Sequence, residues 1–548
     1  MIKILNLNNS KVSSQKILAY SLIFINLGIF LISTWSKQNV VVSSQDFLGL
    51  FAYLGTGFWI GLFLTLINLS IIWIYDINDT IISTMAALVL GLYLLAPPIF
   101  LQKNASFFVS YYPAGEVQTV LREHYINMMR EGQLISYLYW PGLHTISASL
   151  MLILNLPLEP FLKYMPLFWI ISFILLSNLV KRSFKFENRQ YLLVIWLAIA
   201  SFWVGQYYYS AQSFAILLYI IIMTFVLRDE VSIGNTLVIL ITFISLVLIH
   251  LLTPIAIIFS MVIISFYNRH CIRILILLGI LFLAYYLYLS PIVFEYGIRE
   301  FISQIINFDL YSFYKSPDFK IIASSPNYIM VHNIRLGFLL LFFILIIITG
   351  FGYLINKTNK ISKKHFWSIT LWVGGLMLLL GLQYGPEMQY RVYIYALLAL
   401  LSLPVLVYPK AKFLIVFAVL FSLLHLPVHY GTHSFEQTID QELAGAKFLA
   451  LDVKPRNPYS YRFYPYVRYY DPSNLFVPCK TFIIQYKNET DLKNVQYISD
   501  SFQSNNYFSY VFDEDPVKKW INQNPKDLIL IYDNGKFSTF NNIIYSKG

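Results

Sequence analysis

The sequence predicts an all-α polytopic membrane protein that ends in a small α+β domain, and three observations predict it. The 548 residues are 57% hydrophobic and only 12% charged, with a mean hydropathy of +0.62, so a water-facing surface could not be assembled from them. Apolar runs of roughly 14 to 28 residues recur between short polar breaks, lengths suited to helices crossing about 30 Å of hydrocarbon. The alternation of apolar and polar residues that a membrane barrel requires does not run through them.

The runs lie near 16–34, 48–75, 81–101, 142–156, 161–180, 191–207 and 210–227, then near 236–250, 254–267, 274–290, 336–355, 366–384, 390–408 and 413–428. The first follows Lys3, Lys11 and Lys16 without a small-residue cleavage site after it, and is read as a retained span, not a removed signal peptide. The fourth is bounded by Pro141 and Pro157, and its helix would be only about 22 Å long, short for a span. Laid along the surface instead, it leaves about thirteen spans.

That choice also brings the basic clusters to one face: the N-terminal lysines, Lys181, Arg182, Lys185 and Arg189, then Arg228, Arg269 and Arg273, Lys357 to Lys364, and Lys410 with Lys412. The asymmetry predicts a cytoplasmic N-terminus and places residues 102–160, 291–335 and the tail from His429 outside. The same distribution accounts for the net charge of +11 without nucleic acid. Cys271 and Cys479 then fall on opposite sides, so no disulfide is expected between them. The sequons at Asn104 and Asn488 both face outward.

Two domains follow: 1–428, multi-spanning, and 429–548, extracytoplasmic. In the second, helical spacing of apolar residues predicts a helix over Ser434 to Leu451. Near its end, DLILIYDNGKFSTF reads as strand, Asp-Asn-Gly turn and strand.

No metal-ligand spacing, Walker loop, dinucleotide fingerprint or nucleophile elbow occurs in the chain. Any active site is therefore sought in the outer loops. The first, from Tyr111 to Ala148, predicts two surface-lying helices, Glu116 to Arg130 and the proline-bounded run, where a lipid-borne substrate could be met.

This loop carries His124, Gly132 and the stretch Trp140-Pro141-Gly142-Leu143-His144. Lys163, Pro166 and the basic KRSFK follow, and later YYYSAQS (207–213), IHLLTP (249–254) and PEMQYRVYIYALL (386–398). In that order the motifs resemble those of the GT-C class of membrane glycosyltransferases, related to polyprenyl-phosphate-sugar-dependent mannosyltransferases, over nearly the whole chain. One position departs from the pattern: the acidic residue usually found three or four places before the His is replaced by Val120 and Leu121, with Glu116 and Glu123 nearest.

The resemblance implies a GT-C-like fold in the cell membrane. It implies transfer of a sugar from a polyprenyl-phosphate-linked donor to a glycan or glycoprotein acceptor on the outer face, leaving any divalent metal open. A carboxylate would deprotonate the acceptor hydroxyl, and fixed cations would stabilise the departing lipid phosphate. Glu116 or Glu123 is the candidate base, against a dipole-stabilised carboxylate at a helix start and the polar face of a surface helix. Asp46 is a further outward-facing carboxylate, weighed against a span-end residue.

Arg391, Lys163, His124, Glu387 and His332 are the candidate substrate-binding residues. Against this, Arg391 is weighed as a headgroup anchor or as the partner of Glu387 four residues before it. His124, His144, His250 and His332 are weighed as hydrogen-bonded structural residues. Two other functions compete: a non-catalytic GT-C-like scaffold or lipid-binding subunit, which the missing acid favours, and a surface-polysaccharide polymerase, flippase or transporter. The scarcity of charge within the spans argues against the last.

Overall fold

The computed structural model describes residues 2–35, 39–124, 139–228, 232–295, 303, 326–355, 360–381, 387–453, 458–459, 464–470, 497–501 and 521–542. The chain is a polytopic α-helical membrane protein. Among the described residues, seven helices are long and apolar enough to cross a bilayer, within Ser14–Trp35, Thr56–Ile74, Leu158–Ser183, His270–Leu289, Asn327–Ile355, Met388–Val407 and Phe413–Tyr430. Large apolar side chains stand exposed along them, among them Phe24, Ile32, Phe343 and Leu354. Water could not tolerate such a surface; lipid can.

The helices, in order, are α1 (Ile2–Trp35), α2 (Thr56–Ile74), α3 (Thr80–Leu95), α4 (Pro97–Leu101), α5 (Tyr111–Glu123), α6 (Gly142–Leu154), α7 (Leu158–Ser183), α8 (Asn188–Ser201), α9 (Ala211–Val226), α10 (Ile233–Ile249), α11 (Leu252–Tyr267) and α12 (His270–Ala284). There follow α13 (Pro291–Val293), α14 (Pro326–Ile355), α15 (Lys360–Met377), α16 (Glu387–Val407), α17 (Phe413–Tyr430), α18 (Asp440–Phe448) and α19 (Tyr464–Tyr470).

Most apolar runs of the sequence become helices near their expected bounds, with differences that have local causes. The run 81–101 breaks into α3 and α4 at Ala96, because Pro97 has no N–H to continue the ladder. Pro166 lies inside α7, which starts at Leu158. The fourth run forms α6, only 13 residues and about 20 Å long. The expected helix Glu116–Arg130 instead starts at Tyr111 and stops at Glu123, where His124 takes φ 59 in the left-handed region. Residues 125–138, with Gly132, lie outside the described residues.

At the centre, α8 is buried from Asn188 to Ser201 nearly without interruption. Polar side chains clip helices together within the bundle: Trp196 Nε1 of α8 donates to Ser422 Oγ of α17 at 3.0 Å, and Trp372 Nε1 of α15 donates to the Tyr219 hydroxyl of α9 at 2.6 Å. Such bonds are worth most where no water competes.

Beyond α17 the expected Ser434–Leu451 helix is shorter, reduced to α18 and a wide turn at Leu449–Val453. The hairpin forms as expected, from β3 (Leu528–Asp533) and β4 (Phe537–Asn542), and belongs to a four-stranded sheet with β1 (Pro458–Tyr459) and β2 (Tyr497–Ser501), ordered β1-β2-β4-β3. This segment is joined tightly to the helical part. Tyr111 of α5 packs edge-on against Tyr466 and Tyr469 of α19, and Lys103 meets Asp440 at 2.6 Å. Asn104 of the first sequon donates to Asp440 at 2.9 Å; Asn488 and Cys479 lie outside the described residues.

Candidate functional site

The turn from Phe202 to Ser210 is shaped by the last helical turn of α17. His429 Nδ1 meets the Trp203 carbonyl at 2.7 Å, so that nitrogen carries the proton, and Nε2 accepts from the Tyr207 hydroxyl at 2.6 Å. Gly205 lies against the same ring at φ +78, where a Cβ would come within 2.9 Å of His429 Cε1. Ser210 then caps α9 by accepting from the Ser213 N–H at 3.2 Å. Held this way, the turn and the first turn of α9 present Gln206, Tyr208 and Gln212 to a cavity of about 510 Å³.

Two arginines reach that cavity from different helices, Arg335 from α14 and Arg391 from α16. Neutral acceptors fix Arg335, the Val428 carbonyl at 3.1 Å and Thr432 Oγ1 at 3.0 Å, and its guanidinium lies 5.4 Å from the centre of the Trp203 ring. Beside Arg391 stands His250, whose Nδ1 meets the Thr253 hydroxyl at 2.9 Å and accepts its N–H at 3.3 Å, closing the turn into α11.

Glu436 contributes the wall's carboxylate. Its place is fixed by backbone on both sides: its carbonyl accepts from the Phe108 N–H at 3.0 Å, and Val42 N–H donates to the neighbouring Gln437 Oε1 at 2.8 Å. Gln212 is a buried side chain whose Nε2 has no partner among the described residues, and it faces the same space. A buried amide without a partner calls for a ligand or water. Two guanidiniums and an amide donor around one carboxylate suit a ligand that pairs an anion with hydroxyl groups.

Of the site residues expected from sequence, Arg391 lines the cavity; His250, weighed there as a structural residue, lines it too. Glu116 does not; it is fully buried in α5, one turn beyond Tyr112, which does, and it is the sixth residue of its helix and not its start. Glu123 ends α5, and His124 caps it, exposed. Lys163 is half-buried on α7 beside the Tyr164 ring, and His332 stacks on Tyr328 along α14; neither lines the cavity. Glu387 opens α16, its side chain outside the described residues. Asp46 accepts from the Tyr53 hydroxyl at 2.7 Å and from Ser43 N–H at 2.6 Å, and so closes its own loop.

Sequence reasoning missed Arg335, Glu436 and Gln212. Gln212 sits within the YYYSAQS motif, a signal that could have found it; Arg335 and Glu436 have no such marker.

No family model and no curated protein matches the sequence. Among solved structures, the chain is similar to the crystal structure of ArnT from Cupriavidus metallidurans bound to undecaprenyl phosphate, with a TM-score of 0.49 and 11% identity, covering 84% of this chain and 97% of that one.

Proposed function

We propose that the chain is a membrane glycosyltransferase of the GT-C type that moves a sugar from a polyprenyl-phosphate-linked donor to an acceptor hydroxyl on the outer face of the membrane. The observation that carries this reading is the convergence of Arg335, Arg391 and Gln212, whose Nε2 has no partner among the described residues, with Glu436 in one cavity. In this reaction the Glu436 carboxylate takes the acceptor proton and the acceptor oxygen attacks the anomeric carbon. The bond to the lipid phosphate then breaks, and its electron pair leaves with the phosphate. The two guanidiniums take up the charge that develops there, more effectively than they would in water because the cavity is walled by protein. Gln212 donates to a sugar hydroxyl, and Tyr208 and Tyr390 offer ring faces to the sugar.

The test is transfer by the full chain in proteoliposomes supplied with a polyprenyl-phosphate sugar. Glu436→Gln should lower turnover about a hundredfold while donor binding persists. Arg391→Ala should weaken donor binding about tenfold, the cost of one charge-assisted phosphate contact. Should Glu116→Gln abolish transfer while Glu436→Gln spares it, the base is Glu116, reached after a movement of α5. If the native chain binds no lipid-linked sugar, the non-catalytic scaffold replaces the enzyme.

A further inference from the structure

A second polar cavity, of about 530 Å³, lies at the opposite end of the helices from the arginine cavity. It is framed by the start of α3, the end of α7 and the start of α8; α8 runs from here to Ser201, beside Trp203 of the first cavity, a distance of about 21 Å. Lys181, Arg189 and Lys410 line it, with Asp76 and Glu187. Arg189 is shared between both acids, at 3.5 Å from Asp76 and 3.3 Å from Glu187. Among the described residues, Lys181 is not paired with a carboxylate. It is half-buried and donates to Thr80 Oγ1 at 2.7 Å and to Asn188 Oδ1, which is itself held by Thr80. An ammonium has three donors, and these neutral acceptors take two of them.

Three cations against two carboxylates leave the cavity one positive charge in excess. A phosphodiester carries a single negative charge and fits that excess, whereas a phosphate monoester, at about −1.5 to −2, would meet Asp76 and Glu187 unfavourably. Asn78, Asn188 and Thr80 add neutral groups suited to headgroup hydroxyls. Immediately beside the cavity in sequence, Ile74, Tyr75 and Ile81 are exposed apolar side chains, at 57%, 57% and 64%, placed to meet acyl chains. Basic pockets between helix ends at a membrane surface are suited to anionic lipid heads.

We propose that this cavity binds the headgroup of one anionic glycerophospholipid, with Lys181 and Lys410 on its phosphodiester, in the leaflet opposite the arginine cavity. The proposal does not depend on the reaction assigned to the first cavity. It predicts that full-length protein, stripped of lipid in detergent, retains one phosphatidylglycerol per chain by native mass spectrometry. Phosphatidylcholine should bind at least about tenfold more weakly, and Lys181→Gln should weaken phosphatidylglycerol by about tenfold. Inorganic phosphate should not displace the lipid. Equal binding of the two lipids, or unchanged phosphatidylglycerol binding in Lys181→Gln, overturns the proposal. Displacement by inorganic phosphate also overturns it and assigns the cavity to a free anion. If Lys181→Gln does not fold, exposed Lys410→Gln decides, and native-like affinity in that variant sinks the idea.

Discussion

Gly205 shows how a single residue sets the wall of the arginine cavity. Its φ of +78 is costly for any residue with a Cβ, and a Cβ there would press on His429, the ring that holds Trp203 and Tyr207. Gly205→Ala should therefore destabilise the protein by about 1–3 kcal/mol and lower transfer. Thermal unfolding alongside the proteoliposome assay reads both effects, and native stability in the variant would show that the turn tolerates the methyl group. Tyr207→Phe removes the hydroxyl that His429 Nε2 accepts from, inside the protein. A cost of about 1–3 kcal/mol is expected in the same unfolding measurement.

At the level of elements, close crossings and caps hold the bundle. Gly375 of α15 lies against α11 so tightly that a Cβ would stand 2.4 Å from Ser260 Cα and 2.6 Å from the Phe259 carbonyl. Backbone cannot step aside as a flexible side chain can, so Gly375→Ala should cost about 1–3 kcal/mol by denaturation in detergent. Asp79 caps α3 by accepting from the N–H groups of Ile81 at 3.0 Å and Ile82 at 3.3 Å, and it also meets Lys16 at 3.1 Å. Burial raises its carboxyl pKa, but the hydrogen bonds and charge from Lys16 and the two N–H groups outweigh that and hold it below the usual carboxylate range.

Because the folded pKa of Asp79 is the lower one, its stabilisation is present above the unfolded value near about 3.9 and is lost as pH falls through the folded value. Asp79→Ala should cost about 1 kcal/mol at pH 7 and should flatten the loss of stability below pH ~4. An acid profile identical to that of the native protein would remove Asp79 from this role.

On the scale of the whole molecule, two observations converge on orientation. The basic clusters at Lys181–Arg189 and Lys360–Lys364 are far apart in sequence. Both follow helices that begin near the arginine cavity: α14 carries Arg335 close to its start, and α7 begins where Glu159 accepts from the Tyr469 hydroxyl. Both clusters therefore emerge at the far face. We propose from the positive-inside rule that this face is cytoplasmic and that the arginine cavity looks outward. Reporter fusions at Asn188 and at Lys360 should both read cytoplasmic, and a split result between the two sites would break the topology.

The membrane class, the positions of most helices and the closing hairpin were legible in the sequence because each rests on local information. A run such as 413–428 is too apolar to be anything but a buried or lipid-facing helix. Asp533-Asn534-Gly535 permits the turn that Gly535 makes at φ +80. Within the site, Arg391 and the motifs containing His250 and Gln212 were visible for the same reason: they stand at helix mouths and turns that local patterns mark. The partners of Arg391 were not visible. Arg335 reads as a charge at the edge of an apolar run. Glu436 reads as one polar residue in a tail that looked separate, until Gln437 is found bonded to Val42 across 395 positions. Glu116, attractive by its place before His124, is enclosed by the packing of α5. Sequence pattern records which face of an element is apolar, whereas the meeting of side chains from α9, α14, α16 and the segment after α17 depends on how helices cross, and only the tertiary structure decides that.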